Sequence, residues 1–441
     1  MQGRTQINAR TEVQAEMQLN TRPESQLGAG VKAGPGSASV GDLRRLSVRQ
    51  FALALGAVSL VSAGCTRKAP DSGAPGASGA TGSAATASAE EIVIGEFGSF
   101  TGSEATFGKS TSEGIKMAVD EINAKGGVKG KKVRLVSTDT ESKNELAPAA
   151  IERLITQSKV VAVIGEVASA RSLLAAPIAQ KYKIPMISPA STNPKVTEVG
   201  EFVFRTCFID PFQGTVMAKF AFENLKLKRV AILRDIKAEY SVGLAQFFKK
   251  KFLELGGEIV SEQDYQGGDL DFKAQLTQIR SAKPDAIFIP GYYGDVGMIA
   301  KNVRQLGIKA ALLGGDGWDS ASLTEIGGDA INGGYFSNHY TTESTEPVVQ
   351  DFIKRFKERT GGSPPDAMSA LGYDAARILF EAMERAPDLS GQAIRDEIAK
   401  TKDFKGVTGT ITIDEKRNAS KSAVVVRVDG KVFRYVTTIA P

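Results

Sequence analysis

Two loops bearing hydroxyl groups are the residues best placed for chemistry in this 441-residue sequence. They lie in the stretch 160–193, VVAVIGEVASARSLLAAPIAQKYKIPMISPASTN, where two short apolar runs, 160–164 and 185–187, flank a segment with helical spacing. Each run ends in small polar residues, so the pattern is strand, loop, helix, strand, loop, as in a βαβ unit of a parallel sheet. Ligands collect beyond the carboxyl ends of such strands, which sets residues 165–169 and 188–192 side by side at one edge. Ser169 can act as N-cap of the helix that starts there, and its hydroxyl together with the free N–H groups of the first turn favours an anion. The competing reading is a pair of ordinary strand–helix connections.

Other chemistries find little support. There is no G-x-S-x-G nucleophile elbow and no G-x-x-x-x-G-K-[ST] phosphate loop, and Gly95, Gly98 and Gly102 do not fit G-x-G-x-x-G. The one histidine, His339, has no Cys/His/carboxylate cluster around it and reads as an ordinary surface or core residue. Two cysteines, Cys65 and Cys207, are too few for a disulfide framework, and the bulky apolar neighbours of Cys207 in FRTCFID mark a buried structural thiol. No catalytic residue, metal or cofactor is expected. From residue 65 onward 48 Lys/Arg face 46 Asp/Glu, a balance that gives nucleic acid no basic face.

The elements that must position the two loops follow a regular scheme. The length exceeds one typical core, so two domains with appendages are expected. A strand at 92–100 precedes a helix in which Ile115, Ala118, Val119 and Ile122 share one face, stopped by Gly126 and Gly127. Strand 133–137 and helix 145–157 lead into the stretch 160–193, followed by strand 202–206 and a helix near 212–224. A second series has strands at 230–234, 258–262, 286–290 and 311–313, alternating with helices at 242–255, 272–282 and 296–306. Two such series argue for two α/β lobes. Helices near 348–359, 367–385 and 391–401 then precede strands 409–413, 423–428 and 432–438, with Asp429-Gly430 as a hairpin turn.

Ahead of this body the character differs. Residues 1–42 are polar and aperiodic, either a flexible extension or the product of a misplaced translation start. Residues 43–64 have Arg44, Arg45 and Arg49, an apolar run at 51–63 and a small-residue ending, the layout of an export signal too short to span a membrane. Cys65 after Ala63-Gly64 resembles a bacterial lipobox, which implies cleavage before Cys65 and lipidation of its thiol; Ser62 stands where that motif usually has Leu. Export by the general route is favoured, because Ser47 stands where a twin-arginine signal has an aromatic residue. Residues 65–90, nearly all Ala, Gly, Ser, Thr and Pro, read as a flexible tether.

From about Glu91 to the C-terminus the chain resembles the branched-chain amino-acid binding proteins of ABC importers, with the type I periplasmic-binding fold. The resemblance rests on IGEFGSFTG (94–102), GIKMAVDEINAKGGVKGKKV (114–133), IPMISPASTNPKVT (184–197), PGYYGDVG (290–297) and GGDGW (314–318), in that order. It implies two doubly wound α/β lobes joined by a hinge, one from 91–210 with about 340–420 and the other from 211–339 with about 421–441. It further implies that Ser169, Ala190 and Thr192 grip a ligand α-carboxylate, and that Asp316 and Tyr292 meet its α-ammonium. Phe107 and Tyr240 match aromatic positions of the side-chain pocket, with Phe107 in place of a family Tyr, and Glu141 occupies the region of a family disulfide. The expected function is capture of an amino acid, branched-chain or otherwise apolar, for an ABC permease, by a monomer anchored to the membrane through lipid. The alternative is a ligand sensor for a separate signalling partner, binding an amino acid or small amide.

Overall fold

The computed structural model describes residues 91–441; the extension, the export signal, Cys65 and the tether lie outside the described residues. In the first lobe, β1 (Ile92–Gly98), β2 (Val133–Asp139), β3 (Val163–Ile164), β4 (Met186–Ser188) and β5 (Val203–Arg205) form an all-parallel sheet in the order β2-β1-β3-β4-β5. The connections are α1 (Ala105–Ala124), α2 (Ala147–Thr156), α3 (Ser169–Tyr182) and the short α4 (Lys195–Glu198). Helix α2 shows why the apolar spacing produces this layering: Ala147, Ala150, Ile151, Leu154 and Ile155 fall on one face and are all buried. That face joins Phe97, Met186 and residues of α3 on one side of the sheet. Ile92 and Ile94 point to the other side, where α1 packs.

The second lobe is built on seven strands in the order β15-β14-β10-β9-β8-β6-β7. Its parallel part comprises β6 (Arg229–Asp235), β7 (Glu258–Tyr265), β8 (Ala286–Phe288), β9 (Ala311–Gly314) and β10 (Tyr335–Asn338). Helices α5 (Asp210–Lys219) and α6 (Glu239–Glu254) cover one face, and α7 (Lys273–Ala282), α8 (Tyr293–Gln305) and α9 (Ala321–Gly327) the other. Because both faces are covered, a strand such as β8 is buried at every position and reads as an unbroken apolar run.

After β10 the chain returns to the first lobe with α10 (Pro347–Thr360), α11 (Ala367–Arg385) and α12 (Gly391–Ala399). A small antiparallel sheet of β11 (Phe404–Gly406), β12 (Gly409–Ile413) and β13 (Ala419–Ser420) follows. The hairpin of β14 (Ala423–Asp429) and β15 (Val432–Ile439) then completes the second sheet antiparallel to β10. Helices α1 and α11 cross closely, and a Cβ on Gly114 would run into the Ser369 carbonyl. Asp366 caps α11 by accepting the Ser369 N–H at 2.8 Å. The chain therefore passes between the lobes three times, at 206–209, at 339–346 and at 421–422, the architecture expected from the resemblance.

Four local expectations need correction. The apolar run 160–164 contributes only Val163–Ile164 to the sheet. Ser169 does not cap α3: Ala168, extended at φ −73° and ψ 130°, takes that place, and the Ser169 hydroxyl accepts the Asn193 N–H at 3.3 Å instead. Strand β10 was not foreseen; its four residues end in Ser-Asn and carry no apolar alternation. In the last hairpin Asp429 pairs with Val432, so the turn lies one residue later, with Gly430 at φ +60°.

Candidate functional site

The strands of both lobes point their carboxyl ends at one cleft, and the seven predicted site residues all meet there. Ser169, Ala190, Thr192, Tyr240, Tyr292, Asp316 and Phe107 line a single small cavity of about 10 Å³. Val167, Gly317 and Met368 complete its lining. Ser169 is the first residue of α3, Ala190 and Thr192 follow β4, and Phe107 lies in the first turn of α1. From the other lobe, Tyr240 opens α6, Tyr292 precedes α8, and Asp316 begins a short 3-10 turn after β9.

The first-lobe side is rich in hydroxyl donors. Ser169 Oγ accepts the Asn193 N–H, which leaves its own proton free to donate, and Thr192 Oγ1 is buried beside the Asp210 carboxyl group. The first N–H groups of α3 have no partner within the helix, so this side is suited to an anion. The loop after β4 is held rigidly. Arg205, wholly buried, donates through Nη2 to Asn193 O at 2.8 Å and through Nη1 to Ser191 O. Ser188 Oγ donates to Glu166 O at 2.7 Å, tying this loop to the loop after β3.

The second-lobe side carries a fixed negative charge. Asp316 is buried at 3% exposure; Gln213 Nε2 donates to its Oδ1 at 3.0 Å, and His339 Nε2 lies 3.0 Å from its Oδ2. Burial pulls the His339 pKa down to about 4 against the opposing pull of Asp316, so the ring is neutral near pH 7. Tyr240 OH accepts the Gly317 N–H at 3.1 Å. Tyr240 and Tyr292 stack with centroids 5.3 Å apart and Phe107 meets Tyr292 edge-on, forming the apolar wall with Val167 and Met368. Tyr292 also lines a wider groove of about 390 Å³ at the cleft mouth, alongside Glu104, Arg171, Asp235 and Asp295.

The lobes touch directly around the cavity. Thr106 Oγ1 and Ser320 Oγ are 2.9 Å apart, Tyr293 OH donates to Ser103 O at 2.9 Å, and Asn193 Nδ2 donates to Glu239 O at 2.9 Å. Phe107, Val167, Ala190 and Met368 of the first lobe join the apolar cluster of the second.

Sequence reasoning missed His339, Gln213, Arg205 and Met368. His339, read as an ordinary residue, is the fully buried partner of Asp316. Arg205 had a visible signal, a lone cation inside the apolar run FVFRTCF. Cys207 is buried as expected, its thiol 3.3 Å from Ser191 O and its pKa pushed up to about 12 by burial. Among the described residues no group of three or more His, Cys, Asp or Glu could hold a metal ion, and no helix is long and apolar enough to cross a membrane.

Comparison with known proteins agrees with this architecture. "Leu/Ile/Val-binding protein homolog 3" of Brucella melitensis is 30% identical over 353 residues, covering 79% of this chain and 94% of the relative. The crystal structure of a leucine binding protein from Thermotoga maritima is 45% identical with a TM-score of 0.76, covering 79% of this chain and 99% of the other. A branched-chain amino acid transporter substrate binding protein from Streptococcus pneumoniae, solved in complex with isoleucine, is 32% identical with a TM-score of 0.76 and covers 80% and 100%. The family model described as periplasmic binding protein matches residues 91–432, nearly the whole described body, and the chain belongs to that family.

Proposed function

We propose that this protein is an extracytoplasmic receptor that captures a branched-chain or other apolar α-amino acid between its lobes and presents it to an ABC permease. The observation that carries the reading is the polarity of the closed cavity: hydroxyls and a helix N-terminus on one lobe, the Asp316 carboxylate on the other, and aromatic rings with Val167 and Met368 between them. A zwitterion leaving water needs each charge met by charge-assisted hydrogen bonds, about 1.5–3 kcal/mol apiece. Ser169, Ala190 and Thr192 would take the carboxylate, Asp316 with Tyr292 the ammonium, and Phe107 and Tyr240 the side chain. The relatives' names support the ligand class, and the S. pneumoniae complex supports isoleucine-sized ligands.

Binding would stabilise the closed arrangement of the lobes, giving a permease a shape that differs from the open one. Residues 91–210 with about 340–420 would move as one lobe, and 211–339 with about 421–441 as the other. Lipidation at Cys65 would hold the receptor at the membrane, its tether allowing the body to reach its partner. Thermal-shift measurement with the twenty amino acids, small amides and des-amino acids tests the reading. Leucine, isoleucine or valine at about 100 times its Kd should add about 2.7 kcal/mol of stability. If no α-amino acid raises the melting temperature, the proposed function is wrong. Retention of a Cys65→Ser variant in the membrane fraction would refute the anchor.

A further inference from the structure

The single histidine of the chain sits where the lobes join. His339 follows β10 directly, at the start of the second crossing, and its ring stacks on Phe208 of the first crossing with centroids 3.7 Å apart and an interplanar angle of 22°. Its Nε2 faces Asp316 Oδ2 at 3.0 Å, while its Nδ1 is buried with no hydrogen-bond partner. Only the tautomer protonated on Nε2 can donate to the carboxylate. The other carboxylate oxygen is served by Gln213, whose orientation is pinned because its Oε1 accepts the Asp316 N–H at 3.2 Å and the Ser337 hydroxyl at 3.2 Å. Asp316 is thus held at both oxygens by neutral donors. A lysine or arginine in either place would cancel its charge and compete with an incoming cation.

We infer that His339, as its neutral Nε2–H tautomer, is a positioning residue that orients the Asp316 carboxylate toward a ligand ammonium without neutralising it. The inference rests on the amino-acid reading above and deepens it. Burial holds the ring neutral through the physiological range, consistent with this role.

The test uses the full-length protein with L-leucine as probe. With a single histidine, 15N-labelled protein gives one imidazole, and its nitrogen shifts at pH 7 should report the neutral Nε2–H form. His339→Leu, which removes the donor at similar bulk, should weaken L-leucine binding about tenfold to a hundredfold by calorimetry, and His339→Gln, which can restore an N–H donor, should recover most of that loss. In an Asp316→Asn protein, His339→Leu should add less than about threefold, because the partner it positions has lost its charge. A wild-type protein that binds L-leucine while folded His339→Leu retains its affinity within about threefold overturns the inference and leaves the proposed function standing. So does an imidazole that is protonated, or carries its proton on Nδ1, at pH 7, a measurement that needs no variant to fold. A wild-type protein that binds no α-amino acid overturns both.

Discussion

Replacing Asp316 with asparagine separates charge from shape at the site. Asp316 receives Gln213 Nε2 at Oδ1 and His339 Nε2 at Oδ2. Gln213 cannot turn its amide over without abandoning the Asp316 N–H and the Ser337 hydroxyl. The asparagine must therefore present its oxygen to Gln213 and its NH2 to His339, and the imidazole can accept by moving its proton to Nδ1, which has no partner to lose. The fold should feel little of this, with a melting temperature within about 1 °C of wild type, equivalent to under 1 kcal/mol. Binding should feel it strongly. An ammonium buried against a neutral amide loses a pair whose rupture costs about 3–5 kcal/mol in a water-excluded site. At about 1.4 kcal/mol per tenfold, the Kd for L-leucine should rise by at least about a hundredfold. Isothermal titration calorimetry reads this directly, and the nitrogen shifts of the single histidine should report the tautomer change. A Kd within about threefold of wild type, in a protein that melts normally, would refute the assignment of Asp316 to the ammonium.

Other outcomes follow from the same geometry. Gly315→Ala places a Cβ against Gln213 Oε1, the Tyr240 hydroxyl and Leu244; overpacking of this kind costs about 1–3 kcal/mol, so the melting temperature should fall by a few degrees and L-leucine affinity should drop, whereas an unchanged melting curve would contradict the packing. Cys207 should resist a thiol reagent at pH 8 in the native protein and react on unfolding, as peptide mass spectrometry would show; rapid native labelling would contradict its burial. Burial holds Asp210 up at about 8, and burial with Asp366 nearby raises Asp319, so both keep protons that the unfolded chain has shed. The unfolded state thus binds fewer protons, and stability falls as pH rises through this window. His339, lowered to about 4, opposes the trend only below about 6.5, and Lys421, lowered to about 8 by burial, only above 8. The melting temperature should therefore decline between pH 6.5 and 8, and a rise across that interval would count against the buried, protonated state of these acids.

Much of the architecture was legible because buried parallel strands are short apolar runs ended by small residues, a local signal. The runs around Ile187 and Ile287 show it, and the spacing of Ile115, Ala118, Val119 and Ile122 marked the buried face of α1. The cavity residues were found through family resemblance, since nothing local distinguishes Tyr240 or Phe107 from a core aromatic. What escaped depended on contacts between distant parts of the chain. Gln213 meets Asp316 across 103 positions, and His339 meets it only because an unforeseen strand, β10, carries it beside β9. The Ser169 error was of another kind: the choice of Ala168 or Ser169 as cap turns on one backbone angle, and the Asn193 N–H offered the hydroxyl a better partner.

The close crossing of α1 and α11 has a bearing on how the chain comes to be folded. Gly114 and Ser369 touch across 255 positions, and everything between them includes most of the second lobe. A ribosome or a translocation channel delivers the chain from its N-terminus, so the first sheet and α1 emerge without α11 to cover them and stay so until residue 385 has followed. The second lobe lacks the hairpin β14–β15 for longer still. Neither half can finish alone, and the order of synthesis imposes a waiting period during which the apolar faces of β1 and α1 need shielding by something other than their eventual partners.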